Sequence, residues 1–184
     1  MIRFFDFIFS LLGIIILFPL MSLLLIIGLL ENGSPLFLQY RVGFNQKLFL
    51  LIKFRTMRKE TKSVATHKIS DSMITTYGYF LRWTKLDEIP QLLNVLVGHM
   101  SFVGPRPCLP NQKKLIIERS KRDLFKVKPG ITGLAQISGV SMKTPVSLAK
   151  IDKKMVKRMN LYLYFYYIII TIILIFKKNI NVLK

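Results

Sequence analysis

The sequence predicts an α+β chain seated on a membrane, and three observations carry that reading. Residues 4–30 form a nearly continuous apolar run, Pro35–Met57 reads as a hairpin, and the C-terminal third holds basic segments striped with apolar residues. The 184 residues allow one modest domain and little more. Lys plus Arg number 28 against 9 acids, a formal charge of +19, while 52% of the residues are hydrophobic and mean hydropathy is positive. A charge of that sign draws phosphates, and the oiliness directs the choice to anionic lipid. Aromatic residues lie mostly inside apolar runs, so no nucleic-acid partner is expected. Cys108 stands alone, which rules out an intrachain disulfide, suits a cytosol-facing domain and reads as an inert thiol.

The apolar run at 4–30 is interrupted by Asp6, Ser10 and Ser22. As a straight helix it would be about 40 Å long, against a hydrocarbon core of ~30 Å. It is too long for the core of a signal peptide, and Glu31-Asn32-Gly33-Ser34 is no small-residue cleavage site. Pro19 lacks an N–H and clashes with the preceding turn, dividing the run into arms of roughly 22 Å and 17 Å, each too short to cross alone. Two forms satisfy these lengths: a chain that bends at Pro19 and returns to the same face, and a kinked helix that spans.

In the hairpin, Phe37, Leu38, Tyr40 and Val42 lead into Gly43-Phe44-Asn45-Gln46, and Leu48–Phe54 leads out. Lys53 and Arg55 flank Phe54, so on a continuing strand both cations would share a face. Residues 58–72 read as a mobile loop. Leu92–Val97 reads as a short buried helix ended by Gly98, and 112–127 as a basic helix stopped by Pro129-Gly130. Leu148, Ile151, Met155 and Met159 share one helical face with lysines around it, the pattern of a helix lying in the membrane interface. Leu161–Phe176 is apolar, reaches only about 24 Å as a helix, and is flanked by cations at both ends, which favours an interfacial helix over a second span.

The chemistry gathers at Leu86-Asp87-Glu88-Ile89-Pro90-Gln91. Pro90 suits a first helical turn, which puts both acids at or near a helix N-terminus, where acids also serve simply to complement the dipole. Adjacent carboxylates on a helix diverge by about 100°, so they would play separate roles on one substrate. Arg82, Lys53, Arg55 and Arg106 would supply cations for a diphosphate, with Mg²⁺ on a carboxylate as a further one. Gly104-Pro105-Arg106-Pro107 is stiff at both prolines and would hold a guanidinium in a fixed direction for bidentate phosphate recognition. No nucleotide-binding glycine loop, nucleophile elbow or zinc-like Cys/His spacing occurs. His67 reads as a loop residue, and His99 as a capping or packing one.

Arg41-x-Gly43, Lys53-Phe54-Arg55-Thr56-Met57, Leu81-Arg82, Leu86–Gln91, Asn94-Val95-Leu96, Met100–Pro107 and Lys128–Gly133 occur in that order. Together they resemble the bacterial sugar transferase family, the monotopic phosphoglycosyl transferases. The resemblance, which runs from Arg3 to about Leu161, implies a re-entrant, Pro-broken membrane helix over 1–33 and a cytosol-facing transferase domain over 34–160. Residues 161–184 are read from their own composition as an apolar, interfacial helix. The resemblance also implies a location on the cytosolic face of a bacterial inner membrane. The implied reaction moves a phosphosugar from a UDP-sugar to polyprenyl phosphate with release of UMP, the first membrane step of a bacterial glycan. In that scheme Asp87 is the nucleophile and helps hold Mg²⁺, Glu88 assists, and Arg82 with Pro105, Arg106 and Pro107 binds substrate. A second copy of the chain is a further candidate partner.

Three positions depart from the family pattern. His99 stands where an acid is usual, Met73 where an arginine is usual, and Met155 where a tyrosine is usual. None touches Asp87, Glu88 or Arg106, so activity is still expected. The competing class is a non-enzymatic surface protein that binds anionic lipid through its basic faces.

Overall fold

The computed structural model describes residues 1–58 and 73–182, so the loop expected at 58–72, with His67, lies outside the described residues except for Arg58. The elements give an α+β protein, as expected. Helix α1 covers Ile2–Asn32, β1 Leu36–Val42, β2 Leu48–Phe54, α2 Thr76–Thr84, α3 Gln91–Leu96 and β3 Ser101–Val103. Helix α4 follows at Lys113–Ser120, β4 at Gly130–Thr132, α5 at Leu134–Ile137, α6 at Pro145–Arg158 and α7 at Leu161–Val182.

Helix α1 is long and apolar enough to cross a membrane, yet it runs unbroken through Pro19, contrary to the expected break. The physical reason lies in its packing. One stripe of the helix meets the rest of the protein from end to end, so the loss of one backbone hydrogen bond at Pro19 is offset on both sides. Arg3 donates to the Leu96 carbonyl at 2.6 Å, and the Asp6 carboxylate accepts from Ser101, Phe102 N–H and Tyr164 at 2.9, 3.0 and 2.9 Å. Gly13 lies so close to Leu92 that an added Cβ would meet it at 3.1 Å. Past the proline, Leu20, Met21 and Leu24 pack against Phe54 and Leu81, Tyr77 donates to the Leu24 carbonyl at 2.7 Å, and Thr75 donates to Glu31 at 3.0 Å. The opposite stripe, including Ile15, Ile16, Phe18 and Leu30, is exposed.

Strands β1 and β2 pair antiparallel from Leu36↔Phe54 to Val42↔Leu48, the expected hairpin. Asn45 and Gln46 take positive φ in its turn, a conformation asparagine tolerates well. The buried Asn94 side chain fastens α3 to β2 by donating to the Leu50 carbonyl at 2.7 Å and accepting from Ile52 N–H at 3.0 Å. Strands β3 and β4 form a short parallel pair, Ser101↔Gly130 and Val103↔Thr132.

Two expected helices differ. The basic helix over 112–127 stops at Ser120, because Asp123 turns to φ 58 and starts a separate short turn at Leu124–Lys126. The apolar face of α6 looks inward instead of at a membrane interface. Leu148 packs with Val42, Cys108 and Leu115, Met155 packs with Val103 and Tyr164, and Asp152 between them is fully buried. Helix α7 buries Tyr164 and Tyr167 and exposes Tyr162, Tyr166, Ile169, Ile172 and Ile173. Of the three departures, His99 packs its ring near Phe49, Met73 is exposed, and the Met155 sulfur accepts from Leu134 N–H at 3.1 Å.

Candidate active site

Asp87 and Glu88 sit in a tight turn, Leu86–Glu88, between α2 and α3, so they precede a helix N-terminus as expected. Lys85 makes the junction by adopting φ 64, which ends α2 and redirects the chain. Helix α2 is held close to the strand end because Gly78 lies on the Thr56 backbone, where any Cβ would fall 2.0 Å from the carbonyl oxygen. That approach lets Arg82 donate to the Thr56 hydroxyl at 2.8 Å.

The two acids diverge in their partners. Glu88 Oε1 accepts from Lys53 at 3.2 Å and from Arg106 at 3.3 Å. Among the described residues no side-chain hydrogen bond or ion pair engages the Asp87 carboxylate. Burial alone would raise the Glu88 carboxyl, but Lys53, Arg106 and Lys85 outweigh it and hold it well below the usual range. Burial pushes Asp87 up, and the Glu88 charge adds to that, while Lys53, Lys85 and Arg82 pull it back. Burial pushes the Lys53 ammonium down against the attraction of Glu88.

Arg106 comes from a loop that is fixed at each carbonyl. Gly104, Pro105, Arg106, Pro107 and Cys108 accept from Gln136, Gly130 N–H, Arg119, Arg41 and Val42 N–H at 3.3, 3.0, 2.7, 3.2 and 2.9 Å. The prolines stiffen φ and these bonds fix the remaining freedom, so the loop is held from several elements at once. A shallow cleft beside it is lined by Arg41, Leu51, Lys53, Gln91, Arg106 and Pro107. Buried Gln91 Nε2 and Arg41 Nε have no hydrogen-bond partner among the described residues. Burial, with Arg106 nearby, lowers Arg41 to about 10. Donors outnumber acceptors there, which suits an oxygen that only accepts, such as a phosphoryl oxygen.

The structure therefore brings Lys53, Glu88 and Arg106 together, with Asp87 and Arg82 on the adjoining turn and helix. Arg55 is placed elsewhere. Strand β2 ends at Phe54, and Arg55 donates to the Ser34 and Leu36 carbonyls at 3.0 and 3.2 Å and stacks on Phe37. Sequence reasoning gave no role to Arg41, Asn94, Arg119 or Asp152. Arg41 and Asn94 stand in motifs that carry the family resemblance, whereas nothing local in the sequence marks Arg119 or Asp152.

No three His, Cys, Asp or Glu side chains converge as a metal cage among the described residues. Mg²⁺ needs no such cage. It takes one or two carboxylates together with substrate phosphates and waters, and uncommitted Asp87 fits that donor set.

Fold and site together define an α+β protein with one long apolar helix and a carboxylate pair ringed by cations. The profile of the family described as bacterial sugar transferase matches residues 1–178, and the chain belongs to that family. It is 47% identical over 111 residues to the Bacillus subtilis (strain 168) protein named "Uncharacterized sugar transferase EpsL", covering 60% of this chain and 54% of that one. It is 41% identical over 149 residues to "Exopolysaccharide production protein PSS" of Rhizobium leguminosarum bv. phaseoli, covering 75% and 74%. It is also 40% identical over 134 residues to "UDP-glucose:undecaprenyl-phosphate glucose-1-phosphate transferase" of Escherichia coli (strain K12), covering 71% of this chain but only 29% of that one.

Proposed function

We propose that the chain transfers a sugar 1-phosphate from a UDP-sugar to polyprenyl phosphate, releasing UMP and forming a polyprenyl-diphosphate sugar. The observation that carries this reading is the division of labour between the acids: Glu88 is neutralised by Lys53 and Arg106, whereas Asp87 is uncommitted beside them. The name of the Escherichia coli relative supports the same donor and acceptor classes.

In this reading an Asp87 oxygen attacks the phosphorus nearest the sugar. The bond from that phosphorus to the bridging oxygen breaks, and UMP leaves with the electron pair. An oxygen of polyprenyl phosphate then attacks the same phosphorus, and Asp87 departs as a carboxylate, so one transfer is split into two displacements. A carboxylate approaching a diphosphate is opposed by like charge, and Lys53, Arg82 and Arg106 offset that repulsion. Mg²⁺ bound through Asp87 and the diphosphate would supply further neutralisation. Glu88, held ionised by two cations, is a poor proton acceptor, and its part is to hold Lys53 and Arg106 in register. The deciding assay measures UMP release from a panel of UDP-sugars with and without polyprenyl phosphate. Multiple-turnover release from at least one sugar, dependent on the acceptor, supports the reading. Lipid binding with no release from any sugar would favour the surface-protein class instead.

Acid–base behaviour follows from the same geometry. The value of kcat/KM for the UDP-sugar should trace a bell in pH. Its acid limb falls as Asp87 gains a proton, above the ordinary aspartate range, because burial raises that group. Its alkaline limb falls as Lys53 loses its proton, below the ordinary lysine range, because burial lowers that one. Lys53→Arg should flatten the alkaline limb, and an unchanged limb would disprove the assignment.

The membrane placement in this proposal is monotopic. Both ends of α1 touch the same domain, through Arg3 and Asp6 at one end and Glu31 at the other. A helix crossing the bilayer would carry one end about 30 Å away from a domain in the cytosol. Cysteines at Ile2 and Asn32, in a Cys108→Ser background, should both resist an impermeant thiol reagent added from outside. Labelling of either from outside would show a span.

A further inference from the structure

Arg119 and Asp152 form a buried ion pair, with guanidinium nitrogens 2.7 and 3.1 Å from one carboxylate oxygen and side chains almost wholly excluded from solvent. Such pairs are weak sources of stability, since apolar side chains of similar volume often replace them at no loss. The geometry around this one gives it another use. The third guanidinium nitrogen of Arg119 donates to the Arg106 carbonyl at 2.7 Å. The Arg106 side chain itself is 41% exposed and, among the described residues, has one ion-pair contact, a 3.3 Å approach to Glu88. Its direction is therefore set jointly by Glu88 and by its backbone, which lies between two prolines that fix φ on either side.

We infer that Arg119, clamped by Asp152, is a positioning residue for Arg106: by holding the Arg106 carbonyl it sets the angle at which the Arg106 guanidinium meets the nucleotide diphosphate. This rests on the reading of Arg106 as a diphosphate contact. Helix α4 supplies the clamp and α6 its counter-charge, so the orientation of a surface arginine is anchored in the domain interior. Arginine is needed at 119 because a planar fork can meet a carboxylate with two nitrogens and still turn the third toward a carbonyl. A lysine in its place keeps the charge opposite Asp152 but cannot reproduce both contacts with that geometry.

The test is a double-mutant cycle on the full-length protein, with UDP as the binding probe and the polyprenyl phosphate KM as control. Arg106→Lys should weaken UDP binding about ten-fold, because two parallel charge-assisted bonds are replaced by one. Arg119→Lys should weaken UDP binding about five-fold, leave the acceptor KM within about two-fold, and add little in the Arg106→Lys background. Asp152→Glu, which keeps both charges but lengthens the acid, forms a second arm. It should also change UDP affinity, and that change should vanish in the Arg106→Lys background. Independent, multiplying losses would overturn the inference, as would a parallel loss of UDP and acceptor affinity, the mark of a general packing defect. If Arg106→Lys leaves UDP affinity unchanged, the reading of Arg106 fails, and the positioning role fails with it. If Arg106→Lys weakens binding but both interior variants are silent, the positioning role alone is wrong.

Discussion

Asp87→Asn is expected to abolish turnover, by at least about a thousand-fold, while UDP affinity measured without Mg²⁺ holds or tightens. The substitution keeps the size of the side chain and removes the attacking oxygen's charge. Since an ionised Asp87 repels the diphosphate, its loss should help ground-state binding even as chemistry stops. The wild-type protein should also retain labelled phosphosugar when acceptor is withheld, and the variant should not. The Asp87 assignment would be refuted by a variant that keeps most of its UMP release. A variant that loses UDP binding in step with turnover would point to a role in holding substrate.

Glu88→Gln is expected to lower kcat/KM for the UDP-sugar by about a hundred-fold. Charge-assisted hydrogen bonds are worth roughly 1.5–3 kcal/mol each, and Glu88 accepts two, from Lys53 and Arg106. The Arg106 contact is worth less than the Lys53 one because solvent reaches 41% of the Arg106 side chain. With the anion gone, Lys53 loses its main stabilising charge and its pKa falls further. The alkaline limb of the pH profile should therefore move to lower pH. Near-normal kinetics with an unmoved limb would mean that Lys53 and Arg106 are placed by other contacts.

The parts of this molecule that sequence could reveal were those written into neighbouring residues. Alternating Phe37, Leu38, Tyr40 and Val42 and the turn around Asn45 foretold the hairpin, and Pro90 foretold a helix start after the two acids. The Gly104–Pro107 stretch foretold a stiff loop bearing Arg106. Contacts between distant segments left no such trace. Strands of three residues, Ser101–Val103 and Gly130–Thr132, are too short to show a period. The stripe on α6 was visible, but a stripe does not say whether lipid or protein will cover it. Its direction depends on Arg119, 33 residues away, which alone among the described residues pairs with Asp152. Arg55 misled for a related reason: the same-face argument needs a strand that continues, and this one ends at Phe54.

The hydrogen bonds to Asp6 also order events in time. This carboxylate belongs to α1, which is made before its partners Ser101 and Tyr164, 95 and 158 residues further on. At about 5–20 residues per second, synthesis reaches Tyr164 roughly 8–30 s after Asp6. During that interval α1 has left the ribosome with a polar group on the stripe that will later face protein, and its last partner does not yet exist. The newborn chain must therefore keep that stripe wetted or shielded until the C-terminal helix arrives to close it. Nascent chains stalled before Tyr164 are thus the stage at which a chaperone or insertase would be needed most.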